Sequence, residues 1–264
     1  MFTDNPFAQL GGLSPVITRG FVLLMIALVA GGTLYDMQHK GSARYFFTNR
    51  LARQKRRTRQ IPAGEKAALA ARTAAEALTS GEFCSLRRRL AHLLTMYGFL
   101  AYVIATIVLV FFYPTAGTPA PVIVSVLWHI GALMICIGGY WFWFFIRVDV
   151  AAEGNSPFRV MRADLFILSL LANATLALIW SWLPSAARNL SYLPEFYLIS
   201  LLYLASIIVL FGSVPWSKFS HMFFKPAAAY QKHIEEADGS RAKLPTPADA
   251  PARLGSVRRH ARNY

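Results

Sequence analysis

Apolar residues along this chain gather into five long blocks, at 15–35, 90–113, 119–146, 163–183 and 196–214. At about 1.5 Å of rise per helical residue, each block is long enough to cross a bilayer's hydrocarbon core as a helix. Arg19, Asp36, Arg147 and Asp164 stand at the ends of the blocks, and a mid-bilayer acid or base costs several kcal/mol. Trp141, Trp143, Trp180, Trp182 and Tyr113 also lie near block ends, where amphipathic rings favour the headgroup level. The predicted fold is all-α: an integral-membrane five-helix bundle with its N-terminus outside and its C-terminus in the cytoplasm. It divides into an N-terminus and first span (1–36), a basic cytoplasmic loop (37–89), a four-helix membrane bundle (90–224) and a partly disordered cytoplasmic tail (225–264).

Between the blocks the pattern changes. The Ala-rich stretch 67–78 predicts a short helix ended by Ser80–Gly81 and lying against the membrane or a partner. Beyond Gly239, Pro245, Pro247 and Pro251 with dispersed charge predict a chain that orders only on binding. The pairs Gly31–Gly32 and Gly138–Gly139 are read as sites of close helix packing.

Composition agrees with the pattern: 55% of the 264 residues are hydrophobic and 15% charged, against about 25% charged in an ordinary soluble domain. Charge then sets the orientation. Of 27 Lys and Arg, thirteen fall in 37–90, nine after 215 and three between the third and fourth blocks, leaving only Arg19 and Arg188 opposite. The positive-inside rule makes the rich side cytoplasmic; the expected location is a bacterial inner membrane. The leading twenty residues carry one Asp and one Arg, unlike the basic start of a cleaved signal peptide. The run Arg50, Arg53, Lys55, Arg56, Arg57 and Arg59 suits anionic lipid or an acidic cytoplasmic partner better than nucleic acid. Cys84 and Cys136 are too few for a four-cysteine iron–sulfur or zinc site, and are expected as free, inert thiols. No nucleophile–base pair or paired buried carboxylate is evident, so hydrolysis has no support. Span interiors without acids, and without symmetric broken helices, argue against a transporter.

Six histidines remain. His233 and His260 in the tail are expected to be solvated, and His39 to sit at the headgroups. His92, at the start of the second span, and His221, at the exit of the fifth, fall at similar depth. Two such imidazoles suit a six-coordinate b-type haem, with Arg87, Arg88, Arg89 and Lys218 near its propionates; equally, interfacial histidines often serve structure alone. His129, in the third span, is read first as a buried neutral imidazole bonded to a nearby carbonyl. A sharper reading has His129 lining a quinone pocket with Tyr102 and Tyr203, since quinone chemistry needs hydrogen-bond donors and a proton path. A lone haem ligand is the third reading.

The stretch PWSKFSHMFF around His221, with HLLTMYGF from His92 onward, resembles the gamma-subunit family of respiratory nitrate reductase. It also resembles the related membrane cytochromes of sulfite reduction and of quinone-interacting oxidoreductase complexes. The continuation KPAAAYQKHIEEADGS is most similar to the membrane anchor of dissimilatory adenylylsulfate reductase. The resemblance implies that His92 and His221 are the axial ligands of one cytoplasm-side haem b. It also implies an electron-transfer subunit, not catalytic alone, linking the quinone pool to a cytoplasmic iron–sulfur flavoprotein oxidoreductase of sulfur metabolism. The chain departs from the dihaem pattern at Tyr102 and Tyr203, where the family has its outer-haem histidines, so a second haem is not expected. The alternative is a haem-free scaffold that only recruits the soluble complex.

Overall fold

A computed structural model of the chain describes residues 3–9, 14–39, 48–51, 53–81, 83, 85–115, 117–161, 164–186, 194–216 and 221–241, with the backbone alone at 8, 9, 148, 149, 184–186, 195 and 221–224. The principal helices are α1 (Pro15–His39), α2 (Ala63–Thr79), α3 (Leu86–Phe112), α4 (Val122–Trp141), α5 (Leu165–Ala186), α6 (Pro194–Gly212) and α7 (His221–Ala237). No strand occurs among the described residues.

Four helical stretches are long and apolar enough to cross a membrane: Pro15–His39, Leu86–Phe112, Val122–Ile146 and Leu165–Leu183. The chain is therefore a helical membrane protein. The fifth apolar block is a shorter helix, Phe196–Gly212, near the lower limit of length for a crossing.

Helices α3 and α4 form the closest pair, and small residues explain it. Without a hydrophobic drive between helices in lipid, association depends on close van der Waals fit. A Cβ on Gly131 would stand 2.7 Å from Gly98 O and 2.7 Å from Tyr102 N; one on Gly138 would stand 2.6 Å from Ala91 O. Backbone thus touches backbone along the seam. Ala91, Gly98 and Ala105 recur every seven residues on α3, as do Gly131 and Gly138 on α4, the spacing of a left-handed crossing. Gly139 faces the other way, onto Leu171 of α5 at 2.7 Å.

Helix α1 is peripheral, and it is fastened near both ends. Arg19 Nη2 donates to Phe111 O at 2.9 Å, and Nε to Val110 O at 3.4 Å. A cation there satisfies carbonyls at the end of α3 and meets its negative dipole, which accounts for an arginine inside the first apolar block. At the other end a Cβ on Gly32 would lie 3.1 Å from Val214 Cβ. Gly31 has no heavy atom within 4 Å of such a Cβ, so of that pair only Gly32 is a packing site.

Two of the tryptophans near block ends, Trp180 and Trp143, turn inward against protein. Trp180 is 1% exposed, and its indole N–H donates to Ser200 Oγ at 3.0 Å. Trp143 is buried beneath the Arg147 guanidinium, 3.9 Å from the ring centroid. It reaches that position through a π-helical turn, Phe142–Ile146, closed by Arg147 N–H to Phe142 O at 2.9 Å. Arg147 also donates to Asp164 Oδ2 at 2.9 Å and to Arg159 O, and Asp164 accepts the Met161 N–H. One buried ion pair thereby organises the link between α4 and α5.

Helices α2 and α7 pack together outside the bundle. The partner anticipated for the Ala-rich helix is thus another part of the same chain, 160 residues on at the Thr73–His233 contact. His233 is enclosed there: Nδ1 lies 2.9 Å from Thr73 Oγ1 and Nε2 3.3 Å from Glu76 Oε2, contrary to the solvated position expected. Glu235, 1% exposed, pairs with Arg53 and accepts Gln231 Nε2 at 2.8 Å. Thr58 N–H and Arg59 Nε donate to Asp238 O and Ala237 O at 2.9 and 2.8 Å, which caps α7 with chain from the basic loop.

Candidate functional site

Two places carry the chemistry anticipated from the sequence: the start of α3 with its surroundings, and the aromatic middle of the bundle.

At the first, α2 ends directly on α3. Its final carbonyls have no partners within the helix, and α3 supplies them. Tyr97 O–H donates to Leu78 O at 2.9 Å, and Arg89 Nε donates to Thr79 O at 2.8 Å. Ser80 follows in the left-handed conformation, φ 51° and ψ 40°, with its N–H on Ala77 O and that of Gly81 on Glu76 O. A non-glycine residue there costs about 1–2 kcal/mol. Ser80 is 2% exposed, and its hydroxyl lies 2.8 Å from His92 Nδ1.

His92 itself is exposed on α3, because Ala91 beside it is the residue turned into the α4 seam. Its ring meets Phe83 at a centroid distance of 4.9 Å, and Lys225 Nζ of α7 lies 5.8 Å from the centroid of Phe83. Lys225 is one helical turn beyond His221. The Lys225 side chain of α7 is thus linked to His92 through Phe83. The His221 side chain, Lys218, Cys84 and His260 lie outside the described residues. Among the candidate propionate partners, Arg89 is committed to Thr79 O and Arg88 Nη2 to Ile146 O at 3.3 Å. Arg87 is exposed on the same turn.

In the bundle's middle, Tyr102 of α3 and Tyr203 of α6 bring their hydroxyls to 2.6 Å. Tyr203 stacks on Trp180 at 5.2 Å, and Tyr102 lies 5.2 Å from Trp128. Phe7, from the 3-10 turn Pro6–Gln9, inserts between the two indoles at 5.7 and 5.8 Å. That turn is tied down by Asn5 Nδ2 donating to Tyr113 O at 2.7 Å.

Both tyrosines face a cavity of about 750 Å³ between α1, α3, α5 and α6. Its wall is almost wholly apolar, with Met25, Val29, Phe99 and Ile207 among its residues. The polar exceptions include the tyrosine pair, Asn173, Ser200 and Thr106. His129 is not part of this described wall. It is fully buried on α4, with Nδ1 2.8 Å from Ser125 O and its ring edge-on to Trp128. That is the geometry of the buried imidazole bonded to a nearby carbonyl. Cys136 is half-buried, with Sγ 3.7 Å from Thr175 Oγ1.

Sequence reasoning passed over Ser80, Phe83 and Phe7. Only for Ser80 was there a local signal, its place at the predicted helix end. The chain matches no known protein family, no curated protein and no solved structure.

Proposed function

We propose that this protein is a membrane anchor and electron-transfer subunit that links a quinone pool to a cytoplasmic oxidoreductase through one b-type haem. The observation that carries the reading is a chain of contacts through Phe83: Lys225, one turn past His221, stands over Phe83, and Phe83 stands against His92. An exposed imidazole whose Nδ1 is held by a hydroxyl is oriented to coordinate through Nε2, so His92 fits the role of axial ligand. His221 is its partner in this reading. Arg87 is the nearer base for a propionate, since Arg88 and Arg89 serve backbone carbonyls. The haem supplies one-electron transfer; the protein supplies ligands, orientation and a low-dielectric surround.

In the same reading α6 is the fifth crossing, the N-terminus is outside, and the basic residues beside α2 and α7 face the cytoplasm of a bacterial inner membrane. They steer and dock an acidic-faced iron–sulfur flavoprotein of the adenylylsulfate reductase type. The cavity takes the quinone, with the Tyr102–Tyr203 pair at its polar point and His129 of α4 outside the described wall. The α2–α7 unit favours a second reading, a haem-free scaffold, because its buried ion pair and caps build a docking platform without any cofactor.

A dithionite-reduced minus oxidised visible spectrum of the purified chain separates the two. The electron-transfer reading expects b-type bands that vanish in both His92→Ala and His221→Ala. Folded protein without those bands leaves the scaffold.

A further inference from the structure

We infer that Ser80 is a positioning residue for His92: its hydroxyl accepts the Nδ1–H, fixing the tautomer in which Nε2 carries the lone pair. The inference rests on the reading of His92 as a haem ligand, and it assigns a role to a residue outside the membrane helices.

The argument begins with the backbone. The left-handed position at a helix end is glycine's by preference, and Gly81 stands one residue further on. Ser80 nevertheless occupies it, at φ 51°, as the single non-glycine residue of positive φ among those described. A strained conformation that persists is over-determined by its surroundings and tends to mark function. Here the surroundings are visible. Tyr97 O–H on Leu78 O and Arg89 Nε on Thr79 O hold the two preceding residues against α3, so the Ser80 hydroxyl is delivered to His92 by a rigid support. Burial to 2% leaves this hydroxyl little access to water, and the His92 ring nitrogen at 2.8 Å is the contact that uses it. Phe83 then bounds the ring on another side. Three consecutive residues, Leu78, Thr79 and Ser80, thus each bond a different side chain of the first turns of α3.

A capping role alone makes a clear opposite forecast. Ser80→Gly relieves the backbone, so a residue that serves only the cap loses nothing by the change. A positioning residue is separable: the fold keeps or gains thermal stability while His92 loses its orientation.

The test uses the full chain in detergent, as wild type, Ser80→Gly and Ser80→Asn, the last keeping both an acceptor and tolerance of the left-handed region. Three quantities are read: melting temperature, rate of haem transfer to excess apomyoglobin, and ring nitrogen shifts of ¹⁵N-histidine-labelled protein. The expected result for Ser80→Gly is an unchanged or raised melting temperature with haem held about 10- to 100-fold more weakly, and partial recovery in Ser80→Asn. Haem retention equal to wild type in Ser80→Gly overturns the inference. If the wild type binds no haem, the parent reading fails separately, and the nitrogen shifts decide the role of Ser80. An Nδ1-protonated His92 that becomes a tautomer mixture in Ser80→Gly upholds it. An Nε2-protonated ring, or one indifferent to the substitution, refutes it.

Discussion

Gly131→Ala is the sharpest probe of the α3–α4 seam. The added Cβ would meet Gly98 O at 2.7 Å, Tyr102 N at 2.7 Å and Tyr102 Cα at 3.1 Å. All three are backbone atoms, so no rotamer change relieves the contact. Ordinary contact begins near 3.4 Å, and the helices must part by about 0.7 Å at this level. A radial gap of about 0.5–1 Å forfeits a quarter to a half of a dispersion well, and the parting spreads along the seam to Gly138 and Ala91. Overpacking of this kind costs about 1–3 kcal/mol, offset by up to about 1 kcal/mol from alanine's better helix propensity. The net loss of about 1–2 kcal/mol corresponds to a melting temperature lower by roughly 2–8 °C for a chain of this size. Tryptophan fluorescence during heating in detergent reads it directly, since Trp128 stands within the affected stretch of α4. Gly31→Ala is the matched control: with nothing within 4 Å of the new Cβ, it should melt with the wild type or slightly above. If Gly131→Ala melts no lower than Gly31→Ala, the seam is not a backbone contact and the packing argument is wrong.

Arg147→Met strands Asp164 in a buried site and should destabilise by about 3–5 kcal/mol, whereas Arg147→Met with Asp164→Leu should recover most of the loss; thermal melts of the three variants check both. Tyr102→Phe leaves the buried Tyr203 hydroxyl short of a partner, at about 1–3 kcal/mol. The same variant, assayed for haem reduction by a quinol analogue, should show a weaker apparent affinity if the cavity is the quinone site. Glu235→Ala removes the acceptor shared by Arg53 and Gln231, costing about 1.5–3 kcal/mol locally. Limited proteolysis of proteoliposomes should then cut faster in 48–59 and in α7, with the bundle left intact.

Much of the membrane part was legible because its signal is coarse. A run of about twenty apolar residues has few other fates, and four of the five blocks emerge as helices of spanning length. The α3–α4 seam was legible only in part. Gly138 and Gly139 stood out as a pair, while Gly98 and Gly131 carry their message in a seven-residue spacing shared between two helices, which appears once the partners are known. The direction in which each tryptophan points was not legible. An indole near a span end can point to the headgroups or inward, and Trp180 and Trp143 turn inward because Ser200 and Arg147 offer partners there. The exposed face of His92 followed from Ala91 taking the seam. The enclosure of His233 was invisible, since it depends on Thr73 and Glu76, far away in sequence. Contacts between 53–79 and 221–241 have no local periodicity to announce them.

The fastening of α1 bears on how the molecule is assembled. Its latch at Arg19 needs the end of α3, and its latch at Gly32 needs Val214 and Pro215, which leave the ribosome after every apolar block has been made. The α3–α4 hairpin, by contrast, is complete in contacts once residue 141 is synthesised. During biogenesis the first helix can therefore be held at its Arg19 end once α3 is made, while its Gly32 end stays undocked until the last apolar block is complete. A chain arrested before residue 214 should leave that helix moored at one end only, its Gly32 end open to capture by insertion chaperones or to intramembrane proteolysis.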